Sequence, residues 1–194
     1  MASNARQRIL DGALDLLRAA GGGTITLDAA AKQVGLTKPG LMYHFPTKEA
    51  LMLAVVDHAA DRWERMLLDH LGEPLETATP HQRIRAYVEV ALTARFDRAD
   101  FSIYSDALYR DALTATWVHR FEPWLTLPED MPAPVRGRLM AARLLADGYW
   151  TAAATDVFPA PEQDRAQLIA VTQGLLEEEP GHEGTGAIAA EATS

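Results

Sequence analysis

The chain has 194 residues, of which 48% are hydrophobic, and its formal net charge is −9. It contains no cysteine, which excludes disulfides, thiolate metal sites and cysteine nucleophiles, and it has no apolar run long enough to cross a membrane. No signal peptide opens the sequence. These features lead us to expect a cytoplasmic protein of one or two domains without membrane contact.

The charge is unevenly distributed along the chain. The first 51 residues carry six Lys or Arg and four Asp or Glu, a net charge of +2. The rest of the chain carries twelve Lys or Arg and 23 Asp or Glu, a net charge of −11. Phosphate contacts supply most of the affinity of proteins for nucleic acids, so a basic head on an acidic body is typical of a protein that touches DNA with one end. A charge of +2 is a weak signal by itself, and chance is the alternative.

Apolar residues recur at helical spacing throughout the chain, and no segment shows the alternation of a strand. The first predicted helix covers residues 4–20 and ends at three glycines. A short second helix follows, with Thr26 as its predicted N-cap and an apolar stripe from Leu27 to Val34. Gly35 ends this helix, at a position that requires a left-handed residue.

A third short helix follows the turn at Gly35. Thr37 is its predicted N-cap, and Leu41 and Phe45, four residues apart, can anchor it to a core. A helix with so few core residues serves mainly to present its other face. The residues predicted to face outward are Lys38, Pro39, Gly40, Tyr43 and His44.

Pro46 stops the third helix, and Thr47 can cap a fourth that is predicted to run from Lys48 to about Leu71, roughly 36 Å. Lys48 in its first turn adds a positive charge to backbone amides that already suit phosphate. Two short helices joined by a tight turn are the arrangement that lets one helix enter a DNA groove. The predicted DNA contacts are Thr26, Thr37, Lys38, Pro39, Gly40, Tyr43, His44 and Lys48.

This segment resembles the TetR family of dimeric transcriptional repressors over about the first fifty residues. The resemblance is carried by Gly35, Thr37, Lys38, Leu41, Tyr43, His44, Phe45 and Lys48, while Pro39 and Met42 depart from the residues most common in the family. It implies an all-α fold of about nine helices. A three-helix DNA-binding domain with a helix-turn-helix would cover residues 1–50, and a helical ligand-binding and dimerisation domain residues 51–179. Residues 180–194 lack periodicity and are interpreted as a disordered tail.

Further helices are predicted over residues 81–97, about 100–109, 111–125, 134–157 and 161–178, with prolines between them. The last two carry more apolar residues than the outer layer of a monomer usually shows. The resemblance implies that they form a four-helix interface with a two-fold mate, whereas the simpler alternative is that they fill the monomer core. The predicted interface residues are Leu144, Gly148, Ala152, Leu168, Val171 and Leu175. A two-fold dimer would bind a palindromic operator.

Aromatic residues are concentrated in the body, where rings at helical spacing are usually core. Asp106 and Asp147 lie in apolar stretches, where an unpaired charge is costly. If no arginine reaches them, a cationic aromatic ligand stacked on tryptophan could supply the charge. The segment also resembles the ligand domain of multidrug-responsive TetR repressors, at Asp106, Trp117, Trp124 and Asp147. The predicted ligand contacts are Trp63, Tyr104, Asp106, Trp117, Phe121, Trp124 and Asp147.

The resemblance implies a repressor that a small lipophilic or cationic inducer releases from the operator of an efflux transporter gene. Control of a metabolic operon by a catabolite is the alternative. An enzyme is disfavoured because the sequence has no HExxH pair, nucleophile elbow or phosphate loop. A helical protein-interaction adaptor would not need Tyr43, His44 and Lys48 to face outward. We therefore expect double-stranded DNA, an inducer and a second copy of the chain as partners, and no cofactor or metal ion.

Overall fold

The computed structural model describes residues 2–19, 25–94 and 111–177, and within these ranges it contains helices and no strand, which confirms the all-α fold. The described ranges contain eight α-helices, and a 3₁₀ turn at Glu162–Asp164 precedes the last of them. The helices are α1 (Ala2–Ala19), α2 (Leu27–Gln33), α3 (Lys38–His44), α4 (Lys48–Leu71), α5 (Pro80–Thr93), α6 (Asp111–Leu125), α7 (Ala133–Thr155) and α8 (Arg165–Leu175).

The bounds of α4 and α6 coincide with the predicted ones. The helix predicted over residues 81–97 ends earlier, at Thr93, because Ala94 turns to extended backbone with ψ 153°. The helix predicted over residues 161–178 begins instead as the 3₁₀ turn, and regular α-helix covers only α8. The helix predicted over residues 100–109 and the predicted tail over residues 180–194 lie outside the described residues.

One hydrophobic cluster joins α1, α2, α3 and the first half of α4, and it includes Leu113 of α6. Ile9, Leu41, Leu51 and Val55 are completely buried in it, one from α1, one from α3 and two from α4. Apolar burial of this kind is the main source of stability for helices as short as α2 and α3. The core of the head therefore fixes α3 against α1 and α4, and α6 of the body contributes to it through Leu113.

A second hydrophobic cluster joins the rest of α4 to α5, α6, α7 and α8. Trp63 and Leu67 enter it from α4, and Trp124 and Leu139 are almost or completely buried in it from α6 and α7. The helix α4 is thus shared by both clusters, and it ends only at Gly72, whose φ of 71° is left-handed. One rigid element connects the head to the body.

The connection from α7 to α8 has an unusual backbone. Asp156, which caps α7, and Phe158 both have positive φ, of 59° and 48°, a region that costs residues other than glycine conformational energy. Phe158 is 96% exposed and Val157 is 59% exposed. This short segment combines backbone strain with exposed apolar side chains.

The close approach of α1 to the end of α2 depends on Gly12. A Cβ atom at this position would lie 2.5 Å from Val34 Cγ1 and 3.3 Å from Gln33 Cγ. We expect Gly12→Val to lower the free energy of unfolding by roughly 1–3 kcal/mol, because the added side chain overpacks this contact. Ala19→Val, at an exposed position of the same helix, is the matched control and should change it by less than about 0.5 kcal/mol. Urea denaturation of both variants measures the difference, and equal stabilities would contradict the packing.

Candidate functional site

Three threonine caps fix the helix-turn-helix. The hydroxyl oxygens of Thr26, Thr37 and Thr47 each accept a hydrogen bond from the backbone N–H three residues further on, at 3.1, 3.2 and 3.0 Å. Gly35 adopts a φ of 70° in the turn between α2 and α3. The predicted caps and the predicted glycine turn are confirmed.

Of the residues predicted to face outward from α3, Lys38, Pro39 and Tyr43 are exposed, and Gly40 and His44 are half-buried. Leu41 and Phe45 are 0% and 2% exposed and hold the helix to the core, whereas Tyr43 is 86% exposed. The rings of Tyr43 and His44 meet edge to face, with centroids 5.3 Å apart. Among the other predicted DNA contacts, Thr26 and Thr37 are exposed and Lys48 is half-buried.

Two contacts of the basic side chains had no local signal in the sequence. Lys38 Nζ donates to Asp28 Oδ2 at 2.9 Å, across the turn between α3 and α2. Both side chains are largely exposed, so this ion pair contributes at most about 1 kcal/mol and can be exchanged for another anion. The Arg6 guanidinium lies 5.1 Å from the centre of the Phe45 ring and so links α1 to the end of α3.

The body contains a cavity of about 380 Å³ between α4, α5, α6 and α7. Trp63, Trp117, Phe121 and Trp150 supply aromatic walls, and the Trp117 and Phe121 rings are in contact, with centroids 4.6 Å apart. Four of the predicted ligand contacts line this cavity together. They are Trp63, Trp117, Phe121 and Asp147.

Trp124 is a correction to the predicted ligand contacts. It lies two helical turns beyond Trp117, its exposed fraction is 0%, and it belongs to the second hydrophobic cluster instead of the cavity lining. Helical spacing places Trp124 on the same side of α6 as Trp117 and Phe121. It does not show how far along the helix the cavity extends. The other two predicted contacts, Tyr104 and Asp106, lie outside the described residues.

Asp147 does not need a cationic ligand to balance its charge, because it has partners within the chain. The Tyr87 hydroxyl donates to Asp147 Oδ1 at 2.6 Å, and Arg143 Nη1 lies 3.3 Å from Asp147 Oδ2. Arg143 and Tyr87 also line the cavity. The i, i+4 spacing of Arg143 and Asp147 could have predicted this pair, whereas Tyr87, sixty residues away, carried no signal.

A second polar contact joins the cavity helix α6 to α4. Arg120 donates to Asp57 Oδ1 at 2.6 Å and to Glu64 Oε2 at 2.8 Å, both on α4. The hydrogen bond to Asp57 raises the pKa of the Arg120 guanidinium above its ordinary value, so Arg120 stays protonated at any physiological pH. Trp117 and Phe121 flank Arg120 on α6, so a displacement of the cavity wall acts on α4 directly.

The first half of α4 is also tied to α1. His58, which is 7% exposed, has its Nε2 atom 2.8 Å from Asp11 Oδ1. Gln7 Nε2 lies 3.4 Å from the same imidazole. A movement of α4 is therefore transmitted to α1 by a polar contact as well as by packing.

The predicted interface residues are divided between exposed and half-buried positions. Leu144 and Val171 are 53% and 49% exposed, and Gly148 is exposed beside them. Ala152, Leu168 and Leu175 are half-buried, and Leu175 packs against the second cluster. Added Cβ atoms at Gly137, Gly148 and Gly174 would meet nothing within 4 Å, so nothing inside the protomer requires glycine there.

The described ranges hold no group of three or more His, Cys, Asp or Glu side chains able to bind a metal ion. None of the helices seen in those ranges is long and apolar enough to span a membrane.

The outward helix of a helix-turn-helix, joined by one rigid helix to a body with an internal cavity, defines a DNA-binding transcriptional regulator. Two family models match the chain. That of the bacterial regulatory proteins of the tetR family matches residues 9–55, and that of the tetracyclin repressor-like C-terminal domain matches residues 81–177. The chain belongs to the TetR family, and it is a transcription factor rather than an enzyme.

Individual relatives agree with this assignment. The HTH-type transcriptional regulator RutR of Escherichia coli (strain K12) is 33% identical over 92 residues, which are 47% of this chain and 42% of RutR, so less than half of the relative is matched. The structure of the multidrug binding protein EbrR complexed with imidazole has a TM-score of 0.61 at 24% identity, covering 92% of this chain and 98% of EbrR. A member of the TetR family from Streptomyces coelicolor A3, SCO1917, has a TM-score of 0.59 at 21% identity, covering 89% and 98%.

The contact between Tyr87 and Asp147 leads to a stability prediction. We expect Tyr87→Phe to lower the free energy of unfolding by about 1–2 kcal/mol, because it removes a donor from a partly buried carboxylate. Tyr149→Phe, on α7, is the control and should change it by less than about 0.5 kcal/mol. Chemical denaturation measures both, and a Tyr87→Phe protein as stable as the wild type would contradict this role of the hydroxyl.

Proposed function

We propose that the chain is a ligand-responsive repressor whose dimer binds a palindromic operator and is released by a small lipophilic ligand. In this proposal the DNA-binding domain extends to about residue 50, and residues 51–179 bind the ligand and form the dimer. The observation that carries the proposal is the Arg120 clamp. It connects a cavity lined with aromatic side chains to the helix that begins beside α3.

The DNA-binding role rests on α3 and the start of α4. Tyr43 and His44 suit phosphate contacts, and Lys48 adds its charge to the first turn of α4. Lys38 and Gly40 at the start of α3 are the residues that we propose to approach base edges, since glycine lets the backbone come close. A recognition helix typically contacts bases with its N-terminal residues.

The dimer role rests on the exposed face of α7 and α8. Leu144, Val171 and Met140 are each about half exposed, although they are large and apolar. Gly148 costs helix stability without any benefit inside the protomer, and it would let a second helix approach closely. A two-fold mate covering this face would remove apolar surface from water and set the spacing of the two α3 helices.

The ligand class follows from the cavity. Its aromatic walls favour a planar apolar molecule, and its volume suits a small one. Asp147 is already neutralised by Arg143, so a cationic ligand would gain from Asp147 only by displacing that arginine. We therefore propose a lipophilic aromatic inducer for which a positive charge is not essential.

The ligand releases the dimer from the operator if it binds more tightly to a second conformer. In that conformer the spacing of the two α3 helices no longer matches two successive DNA grooves. A ligand against Trp117 or Phe121 moves α6, and Arg120 on the same helix moves α4 through Asp57 and Glu64. The ligand can shift the equilibrium only by its difference in affinity for the two conformers.

We propose an efflux transporter gene as the target, because export suits a compound that is lipophilic enough to enter this cavity. A regulator of a metabolic operon is the second candidate. It is favoured by the polar groups of Arg143, Tyr87 and Thr151 on the cavity wall, which could orient a catabolite by hydrogen bonds.

The DNA-binding role is tested with Tyr43→Ala. We expect it to weaken binding to duplexes that the wild-type protein selects from a random pool by about ten-fold or more, because a phosphate contact is lost. Lys48→Ala should weaken binding similarly and reduce the slope of log affinity against log salt by about one. Leu68→Ala, roughly 30 Å further along α4, is the control and should bind as the wild type does. Mobility-shift titrations at several salt concentrations measure these changes, and wild-type affinity in Tyr43→Ala would exclude the assigned contact.

The ligand role is tested with Trp117→Ala and proflavin as the probe, since EbrR, of similar fold, has been solved in complex with proflavin. We expect proflavin affinity to fall by about ten-fold or more because one aromatic wall is lost, while DNA affinity stays within about three-fold of the wild type. His119→Ala, an exposed neighbour on α6, is the control. Quenching of tryptophan fluorescence and release of bound DNA are the two readouts. Unchanged proflavin binding in Trp117→Ala would remove the cavity from the mechanism.

A further inference from the structure

The connection between α7 and α8 begins with a short segment that we call the hook and define as residues 156–158. Phe158 is 96% exposed and Val157 is 59% exposed, and both Asp156 and Phe158 have positive φ. Strain of this kind persists where the surroundings favour it, and it concentrates at sites that contact something else. The protomer itself leaves the Phe158 ring in water.

A groove of about 840 Å³, the end groove, lies where α5 and α7 begin and α8 ends. Its apolar lining is supplied by Met131, Val135, Leu139 and Leu175, and Arg138 and His81 are among its polar residues. The hook and the end groove lie near opposite ends of the 23-residue helix α7, about 34 Å apart along its axis, so the hook cannot reach the groove of its own chain.

The charges of α7 and its connection are complementary between these two ends. Residues 133–147 contain three arginines and one acid, Asp147, whereas residues 156–165 contain three acids and one base, Arg165, so the net charges are +2 and −2. Two copies of α7 that pack antiparallel would therefore bring an acidic segment against a basic one in both places. A parallel pair would bring like charges together.

The proposed dimer face fixes where the hook then falls. Phe158 lies fourteen residues beyond Leu144 and ten beyond Gly148. In an antiparallel pair centred between these two residues it meets positions 130–138 of the copy, and those positions form one wall of the end groove.

We propose that the hook of each protomer docks in the end groove of a second copy of this chain, so that Phe158 closes both ends of the dimer interface. The inference rests on the proposed dimer through α7 and α8. It adds a contact outside the face that those two helices share. Phe158 covers Val135 and Leu139, and Asp156 approaches Arg138.

Cross-linking tests this docking directly, because the chain has no cysteine of its own. Full-length chains carrying Phe158→Cys and differently tagged chains carrying Val135→Cys are mixed and oxidised. Disulfides require Cα atoms within about 7 Å, so a bond between these positions can form only between two copies. Leu144→Cys chains mixed with Gly148→Cys chains, the two positions that this register places opposite each other, are the control for the dimer itself. We expect both the first pair and the control to cross-link.

Three outcomes separate the failures. A bond between Leu144→Cys and Gly148→Cys without a bond between Phe158→Cys and Val135→Cys keeps the dimer and overturns the docking. Efficient cross-linking of Phe158→Cys with itself indicates a parallel arrangement and also overturns it. Failure of every pair, with a single protomer mass in sedimentation, overturns the dimer and the docking together.

A second measurement supports the geometry without cysteines. Phe158→Ala and Val135→Ala should each raise the dimer dissociation constant by roughly ten-fold, and the double variant should be no weaker than either single one. Additive losses would mean that the two side chains do not meet. Circular dichroism of each variant verifies that the fold is retained. We expect Phe158→Ala to keep the fold because the Phe158 side chain is exposed.

Discussion

The structure depends on the burial of α4 in two hydrophobic clusters, which α6 also connects through Leu113 and Trp117. The first half of α4 supplies Leu51 and Val55 to the core of the head, and its second half supplies Trp63 and Leu67 to the core of the body. A continuous helix cannot bend sharply without a specific cause, so the head and the body move as α4 moves. The contacts that α4 makes on each side therefore determine how a change in the body alters the position of the head.

Those contacts are polar as well as apolar, and this affects how α4 can respond. Apolar packing tolerates small sliding, whereas the bonds from Arg120 to Asp57 and Glu64 and from His58 to Asp11 favour particular positions. Elements held in this way tend to have discrete arrangements. A body that offers α4 two such positions can act as a switch, and the energy available for switching is limited to the ligand's preference for one of them.

Features that depend on residues close together in the sequence could be predicted. Contacts between residues that are far apart in the sequence could not. Thr26, Thr37 and Thr47 as caps and Gly35 as a left-handed turn could be predicted, because each acts within three or four residues of itself. The resemblance to multidrug-responsive repressors placed Trp117 and Trp124 in one ligand site, but the end of the cavity depends on packing by other helices. The Tyr87 partner of Asp147 and the Asp28 partner of Lys38 could not be predicted, since neither follows from spacing along one helix.

The pair between Lys38 and Asp28 has an effect on how the head meets DNA. In the proposed DNA-binding role, a phosphate or base that engages Lys38 competes with a carboxylate whose Oδ2 atom already lies 2.9 Å from the ammonium nitrogen. This competition would weaken binding to non-specific DNA relative to a head whose Lys38 lacked the carboxylate partner. Weaker non-specific binding would leave more of the protein free to search for an operator that offers further contacts.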